Sequence, residues 1–114
     1  MAALLRIAPE VPVSDVRNSA KYYEDKLGFQ TVMIMPAGDY AVVERDEVAI
    51  HLFEAGKEIS PVAMHIFTRG LDDLHSELRR RGAVITQDIV AQPWGNRDFR
   101  VKDEFGNEFK FSER

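Results

Sequence analysis

The sequence of 114 residues contains no cysteine. A chain without thiols forms no disulfide, holds no iron–sulfur cluster or thiolate zinc site, and offers no cysteine nucleophile. Any metal site must therefore be built from histidine, aspartate and glutamate side chains. The same absence suits a reducing compartment, so we expect a cytoplasmic protein.

Long apolar runs and an excess of positive charge are also missing. No segment approaches the roughly 20 apolar residues needed to cross a bilayer. The apolar residues 1–5 have no basic segment before them and are interrupted by Arg6, which favours a first strand over a secretion signal. The net charge of −4 argues against a surface that neutralises phosphates. We therefore expect neither a membrane nor a nucleic acid as partner.

Two helices are predicted by apolar stripes with end signals. The first follows a cap at Ser14 or Asp15 and stops at Gly28, and the second stops at Gly82. The stripes consist of Val16, Ala20, Tyr23 and Leu27 in the first helix and of Leu71, Leu74 and Leu78 in the second. Strand-like patterns are found over 5–13, near 29–36, 39–45 and 47–54, over 62–68, and near 83–89, 97–102 and 107–112.

The order of one strand, one helix and three strands occurs twice, and the two helix stops lie about half a chain length apart. This internal repeat predicts an α+β fold of two βαβββ modules, covering about 1–56 and 61–114, within a single domain of residues 1–114. One helix cannot cover both faces of a four-stranded sheet, so the second face of each sheet must meet something else.

Alternation indicates which side chains lie on these second faces. Ile50 and Leu52 point to the helix in one strand, as do Met64 and Ile66 in another. The opposite side is then formed by Ala49, His51 and Phe53 and by Ala63, His65 and Phe67. Aromatic rings and two histidines are more typical of a ligand cleft than of a core.

Five segments follow one another in a recognisable order: PVSDV (12–16) leading into SAKYY (19–23), LGF (27–29), GLDDL (70–74), PWG (93–95) and DEFGN (103–107). Together with the half-chain repeat they resemble the vicinal oxygen chelate superfamily, which includes glyoxalase I, extradiol dioxygenases, fosfomycin-modifying transferases and bleomycin resistance proteins. The chain length and the PWG segment are most similar to the bleomycin resistance branch. The resemblance implies two βαβββ modules per chain and a homodimer whose sheets curl around shared clefts.

The resemblance also indicates where a metal would lie. Metal-dependent members hold a divalent ion at four strand positions, which correspond here to Ala8, His51, Ala63 and Lys110. Only His51 can act as a ligand, because the alanines have no lone pair to donate and an ammonium group repels a cation. We therefore expect no metal and no cofactor. His65 shares the face of Ala63 but would need a shifted site.

Aromatic and polar side chains on the second faces are the candidate ligand contacts. Trp94, the only tryptophan, offers a stacking wall, with dimer packing or a lid as the alternative. The face on which Tyr40 lies is not fixed by the pattern. The net sign of the cleft also stays open, because acidic and basic side chains alternate there. The predicted ligand-binding residues are Tyr40, His51, Phe53, His65, Phe67, Trp94, Asp98 and Lys110.

Three functions are compatible with the sequence. The first is a non-catalytic protein that sequesters a bleomycin-type antibiotic or a similar partly aromatic molecule, since no convincing nucleophile, acid–base pair or metal triad is present. The second is a metal-dependent lyase, isomerase or dioxygenase that builds an atypical site from His51, His65 and Glu108 or Glu10. The third is a dimeric interaction module whose clefts are filled by its own side chains.

Exchange of the first strand and first helix between subunits stays open. Pro9 and Pro12 stiffen that strand and would favour an arm that reaches across.

Overall fold

A computed structural model describes residues 1–113 and confirms the α+β fold of two βαβββ modules. The predicted second module extends to 114, and Arg114 lies outside the described residues. The elements are β1 (Glu10–Val13), α1 (Val16–Leu27), β2 (Gln30–Ile34), β3 (Tyr40–Arg45), β4 (Val48–Glu54), β5 (Ala63–Thr68), α2 (Leu71–Arg81), β6 (Val84–Ala91), β7 (Arg97–Lys102) and β8 (Glu108–Glu113). No helix within this range is long and apolar enough to span a membrane.

Each module forms its own four-stranded sheet with the same topology. The strand order is β1-β4-β3-β2 in the first sheet and β5-β8-β7-β6 in the second. In both sheets the first strand of the module pairs parallel to the last one, and the other pairs are antiparallel. The repeat seen in the sequence is therefore a repeat of strand pairing.

The helix ends follow the predicted signals. Asp15 caps α1, because its Oδ1 accepts a hydrogen bond from the Asn18 amide at 3.1 Å. Gly28 and Gly82 end the two helices with φ of 72° and 82°, a left-handed conformation that a residue with a Cβ rarely adopts.

The alternation of the strands selects the core side as predicted. Ile50, Leu52 and Phe109 are fully buried, and Phe111 is nearly so. The Tyr23 ring of α1 packs edge-on against Phe109 of the second sheet, with ring centroids 5.6 Å apart. The helices and the inner faces of both sheets thus contribute to one hydrophobic core.

The first strand is shorter than the sequence predicts. Pairing of β1 with β4 starts at Glu10, although the Pro9 carbonyl still accepts a hydrogen bond from the His51 amide. Pro9 has no N–H to continue the parallel ladder. Residues 1–7 therefore leave the sheet as an exposed arm, and Leu4, Leu5 and Ile7 are each at least 91% exposed.

A charged cluster joins the two modules at the ends of the helices. Arg45 at the end of β3 donates two hydrogen bonds to the Glu77 carboxylate of α2, at 2.9 and 2.7 Å, and one to the Leu27 carbonyl of α1. Arg81 binds the same carboxylate at 2.7 Å. The hydrogen bonds from Arg45 and then Arg81 outweigh partial burial and lower the pKa of Glu77 from 4.5 to about 2.

We expect Glu77→Gln to lower the free energy of unfolding at pH 7 by about 1–2 kcal/mol, a value reduced for solvent screening of a surface cluster. The folded pKa lies below the unfolded one, so this stabilisation is complete above about pH 4.5 and is lost as the pH falls towards 2. Urea titrations at several pH values measure it. Glu47→Gln, at an exposed carboxylate, is the control. A difference between wild type and Glu77→Gln that does not change with pH would contradict this interpretation.

Candidate functional site

The second face of the first sheet gathers three of the predicted residues. Tyr40 lies directly opposite Phe53 across the β3–β4 pair, and Val42 lies opposite His51. Opposite residues of an antiparallel pair point to the same side. Tyr40 therefore shares a face with His51 and Phe53, which the sequence pattern left undecided.

Hydrogen bonds fix the arrangement of this group. The Tyr40 hydroxyl lies 2.7 Å from His51 Nδ1 and 2.9 Å from Glu10 Oε2. An ionised carboxylate only accepts hydrogen bonds, so the hydroxyl donates to Glu10 and accepts from the Nδ1–H of His51. Burial, and then the bond to Glu10, raises the pKa of Tyr40. The Nε2 atom of His51 forms no hydrogen bond among residues 1–113 and is open to contact with a ligand.

The second face of the second sheet is built of rows that cross its strands. The middle row runs from His65 through Lys110 to Arg100, and the neighbouring row runs from Phe67 through Ser112 to Asp98. Four of the predicted contacts thus share one face: His65, Phe67, Asp98 and Lys110.

An imidazole and a phenyl ring form the apolar part of this face. The rings of His65 and Phe67 lie with centroids 4.4 Å apart, and His65 Nε2 is 2.6 Å from the Ser112 hydroxyl. Partial burial, followed by the Lys110 charge, lowers the pKa of His65, which keeps the ring neutral at pH 7. Phe67 is 59% exposed although it is a large apolar side chain.

The acidic groups of this face are already engaged. Asp98 is only 1% exposed, and its carboxylate accepts hydrogen bonds from Gln87 Nε2 at 2.7 Å and from Gln92 Nε2 at 3.1 Å. A ligand reaches Asp98 only by displacing these amides. Glu108 accepts a hydrogen bond from Arg100 at 2.7 Å.

Sequence reasoning missed Gln87 and Gln92 as partners of Asp98. Register shifts occur on both sides of Gln87 in the β6–β7 pair, and they break the alternation that would have placed it.

Two grooves lie along β5, and of the predicted contacts only His65 and Phe67 are among their described lining residues. One has a volume of about 530 Å³, and the other has a volume of about 610 Å³ and runs towards Arg45 and Glu77. Both lie within the usual size range of small-molecule sites. Phe67 lines both grooves. The smaller groove is lined by Ile7, Ala8, Pro9, Val48, Ala49, Met64, His65, Ile66 and Phe67.

Trp94 is not part of a strand. It lies in the turn between β6 and β7 and is 67% exposed. The structure thus brings Tyr40, His51 and Phe53 together on one sheet and His65, Phe67, Asp98 and Lys110 on the other. Contact of these residues and of Trp94 with a ligand stays a prediction.

The side chains do not fit the metal centre of the metal-dependent relatives. Among residues 1–113 there is no group of three or more histidine, aspartate and glutamate side chains placed to hold an ion. His51 and His65 lie on different sheets, and Glu108 is bonded to Arg100. A divalent ion needs about three protein ligands, which this surface does not offer.

Comparisons with known proteins agree with this architecture. The family model described as Glyoxalase/Bleomycin resistance protein/Dioxygenase superfamily matches residues 4–111. A bleomycin resistance protein of Geobacillus stearothermophilus is 30% identical, with 95% of this chain and 96% of that protein covered.

Solved structures show the same fold. The crystal structure of a glyoxalase-related enzyme from Clostridium phytofermentans has a TM-score of 0.80 at 26% identity, covering 98% of this chain and 96% of that one. The bleomycin resistance determinant encoded on transposon Tn5 has a TM-score of 0.86 at 17% identity, covering 97% and 98%. With the family match along nearly its whole length, this chain belongs to the glyoxalase/bleomycin resistance protein/dioxygenase superfamily.

Proposed function

We propose that this protein binds and sequesters a partly aromatic small molecule without transforming it, in clefts at the interface of a cytoplasmic homodimer. The bleomycin resistance protein of Geobacillus stearothermophilus, similar along nearly the full chain, makes a bleomycin-type antibiotic the first ligand to test. Sequestration needs affinity alone. A dissociation constant between micromolar and nanomolar, roughly −8 to −12 kcal/mol, suffices for an abundant protein.

The observation that carries the proposal is the exposed ring of Phe67. A phenyl side chain that is 59% exposed, packs on His65 and borders both grooves offers its surface to a flat partner. Aromatic rings bind such partners with large contact area and little loss of side-chain entropy. His51 Nε2 and Lys110 would add polar contacts that fix the orientation of the ligand.

The open second faces support a dimer. Each sheet packs its inner face on the shared core, and its other face carries half-buried or exposed rings, those of Tyr40, His51 and Phe53 on the first sheet and those of His65 and Phe67 on the second. The apolar arm of residues 1–7 is exposed as well. A second copy would cover both the arm and the grooves, and the ligand would then be enclosed from two sides.

We expect Phe67→Ala to weaken the binding of bleomycin about tenfold, because a ring that contacts the ligand loses its burial and stacking. Isothermal titration calorimetry with metal-free and copper-loaded bleomycin measures the affinity, and Trp94 fluorescence gives a second signal. Val32→Ala, which trims another exposed apolar side chain, is the control and should bind like wild type.

Two results would count against the proposal. A ligand at 100 times its dissociation constant raises the free energy of unfolding by about 2.7 kcal/mol, so an unchanged melting temperature at high bleomycin concentration removes this ligand class. Equal affinities of wild type and Phe67→Ala would show that binding takes place elsewhere.

A further inference from the structure

We infer that the ligand carries an anionic oxygen group, such as a carboxylate, next to its aromatic part, and that this group binds at Lys110. The inference rests on the proposed function, since it names the chemical class of the molecule held in the cleft.

The strand register places Lys110 in the middle of the second sheet. Lys110 is paired with His65 on one side and with Arg100 on the other, so three nitrogen-bearing side chains cross the face in one row. Side chains opposite each other on adjacent strands lie about 5 Å apart, within reach of a single carboxylate. The row is central on the face, between the row of Phe67 and the row of Glu108.

Neither acid of the same face forms an ion pair with Lys110. Asp98 is enclosed by the amides of Gln87 and Gln92, and Glu108 is bonded to Arg100. Among residues 1–113 no side chain forms an ion pair with the Lys110 ammonium, which is only half-buried. Desolvation and then the Lys110 charge lower the pKa of His65, and Asp98 acts in the opposite direction, so the Lys110 ammonium is felt at the neighbouring ring.

The aromatic contact, Phe67, lies in the row next to that of Lys110. Phe67 lies two residues after His65 on the same face of β5, and the two rings are already in contact. An aromatic acid could therefore pack its ring on Phe67 while its carboxylate accepts a charge-assisted hydrogen bond from Lys110. A ligand with a cation at this position would be repelled.

A matched pair of probes tests the inference. We expect wild-type protein to bind 2-naphthoate about tenfold more tightly than 2-naphthamide, which has the same ring and no charge. Lys110→Met keeps most of the side-chain length, removes the charge and should abolish this preference. Lys102→Met, on the same face one row away, is the control and should retain it. An NMR titration should show a higher pKa of His65 in Lys110→Met than in wild type. This result would verify that the variant is folded and that the Lys110 ammonium acts on His65 in wild type.

The other outcomes separate this inference from the proposed function. Equal binding of acid and amide by wild type, or a preference that persists in Lys110→Met, overturns the assignment of Lys110. Bleomycin that binds more tightly to Lys110→Met than to wild type also overturns it, while the proposed sequestration stands. Failure of bleomycin and both probes to bind would overturn both.

Discussion

Asp103→Ala is expected to lower the free energy of unfolding by about 3–4 kcal/mol. The Asp103 carboxylate is buried and accepts hydrogen bonds from the Tyr23 hydroxyl at 2.7 Å and from Asn107 Nδ2 at 2.8 Å. The backbone amides of Phe105 and Asn107 also donate to it, at 2.8 and 3.0 Å. Removing a buried charged acceptor leaves these donors unpaired, which costs several kcal/mol.

The loss of stability affects several elements, because Asn107 links segments that are far apart in the sequence. Its Nδ2 also donates to the Pro12 carbonyl, and its Oδ1 accepts from the Val62 amide. One carboxylate thus supports the contacts among β1, α1, the connection between the modules and the turn before β8. Burial and the charge of Asp103 raise the pKa of Tyr23, so its hydroxyl stays a donor at pH 7.

Urea denaturation followed by circular dichroism measures the effect. Asp39→Ala, at an exposed carboxylate without a side-chain hydrogen bond among residues 1–113, is the control and should change stability by less than about 0.5 kcal/mol. Asp103→Asn keeps one acceptor oxygen, so its loss of unfolding free energy should lie between those of Asp103→Ala and Asp39→Ala. A loss below 1 kcal/mol in Asp103→Ala would mean that the buried network contributes little.

Deletion of residues 2–7 is expected to convert the proposed dimer largely to monomer and to abolish ligand binding. Burial of one large apolar side chain contributes about 1.5–3 kcal/mol, and the arm carries Leu4, Leu5 and Ile7 in exposed positions. Even partial loss of these contacts raises the dimer dissociation constant at least about a hundredfold. Sedimentation equilibrium over a range of concentrations measures the change.

Two variants separate the apolar contacts from the length of the arm. Leu5→Ser together with Ile7→Ser should weaken the dimer, whereas Arg6→Ser between them should leave it intact. A truncated chain that dimerises like wild type would show that the arm plays no part in association. A monomeric wild-type protein would refute the dimer itself.

The DEFGN segment is recognisable in the sequence, but its structural role is not. The sequence identifies residues 103–107 as a turn and as part of a family resemblance. The structure shows that Asp103 and Asn107 are held in a buried network. Partners such as Tyr23 and Pro12 are about 80 or more positions away along the chain. Local pattern carries no information on such pairs.

The faces of the strands were predictable where alternation is regular. Successive side chains of a strand point to opposite sides, so a period of two places Ile50 and Leu52 on one face of β4. It places His51 and Phe53 on the other face. Tyr40 could not be placed in this way, since three consecutive buried residues follow it in β3. Only the pairing of β3 with β4 puts its hydroxyl beside His51.

The sequence by itself determined the repeat, the helices and their ends, the core side of most strands and the poor supply of metal ligands. These properties follow from local periodicity, from capping chemistry and from residue type. Only the tertiary structure decided the extent of the first strand, the side on which Tyr40 lies and the charge balance around Lys110. Each of these depends on which side chains of distant strands become neighbours, as the amides of Gln87 and Gln92 do when they enclose the Asp98 carboxylate.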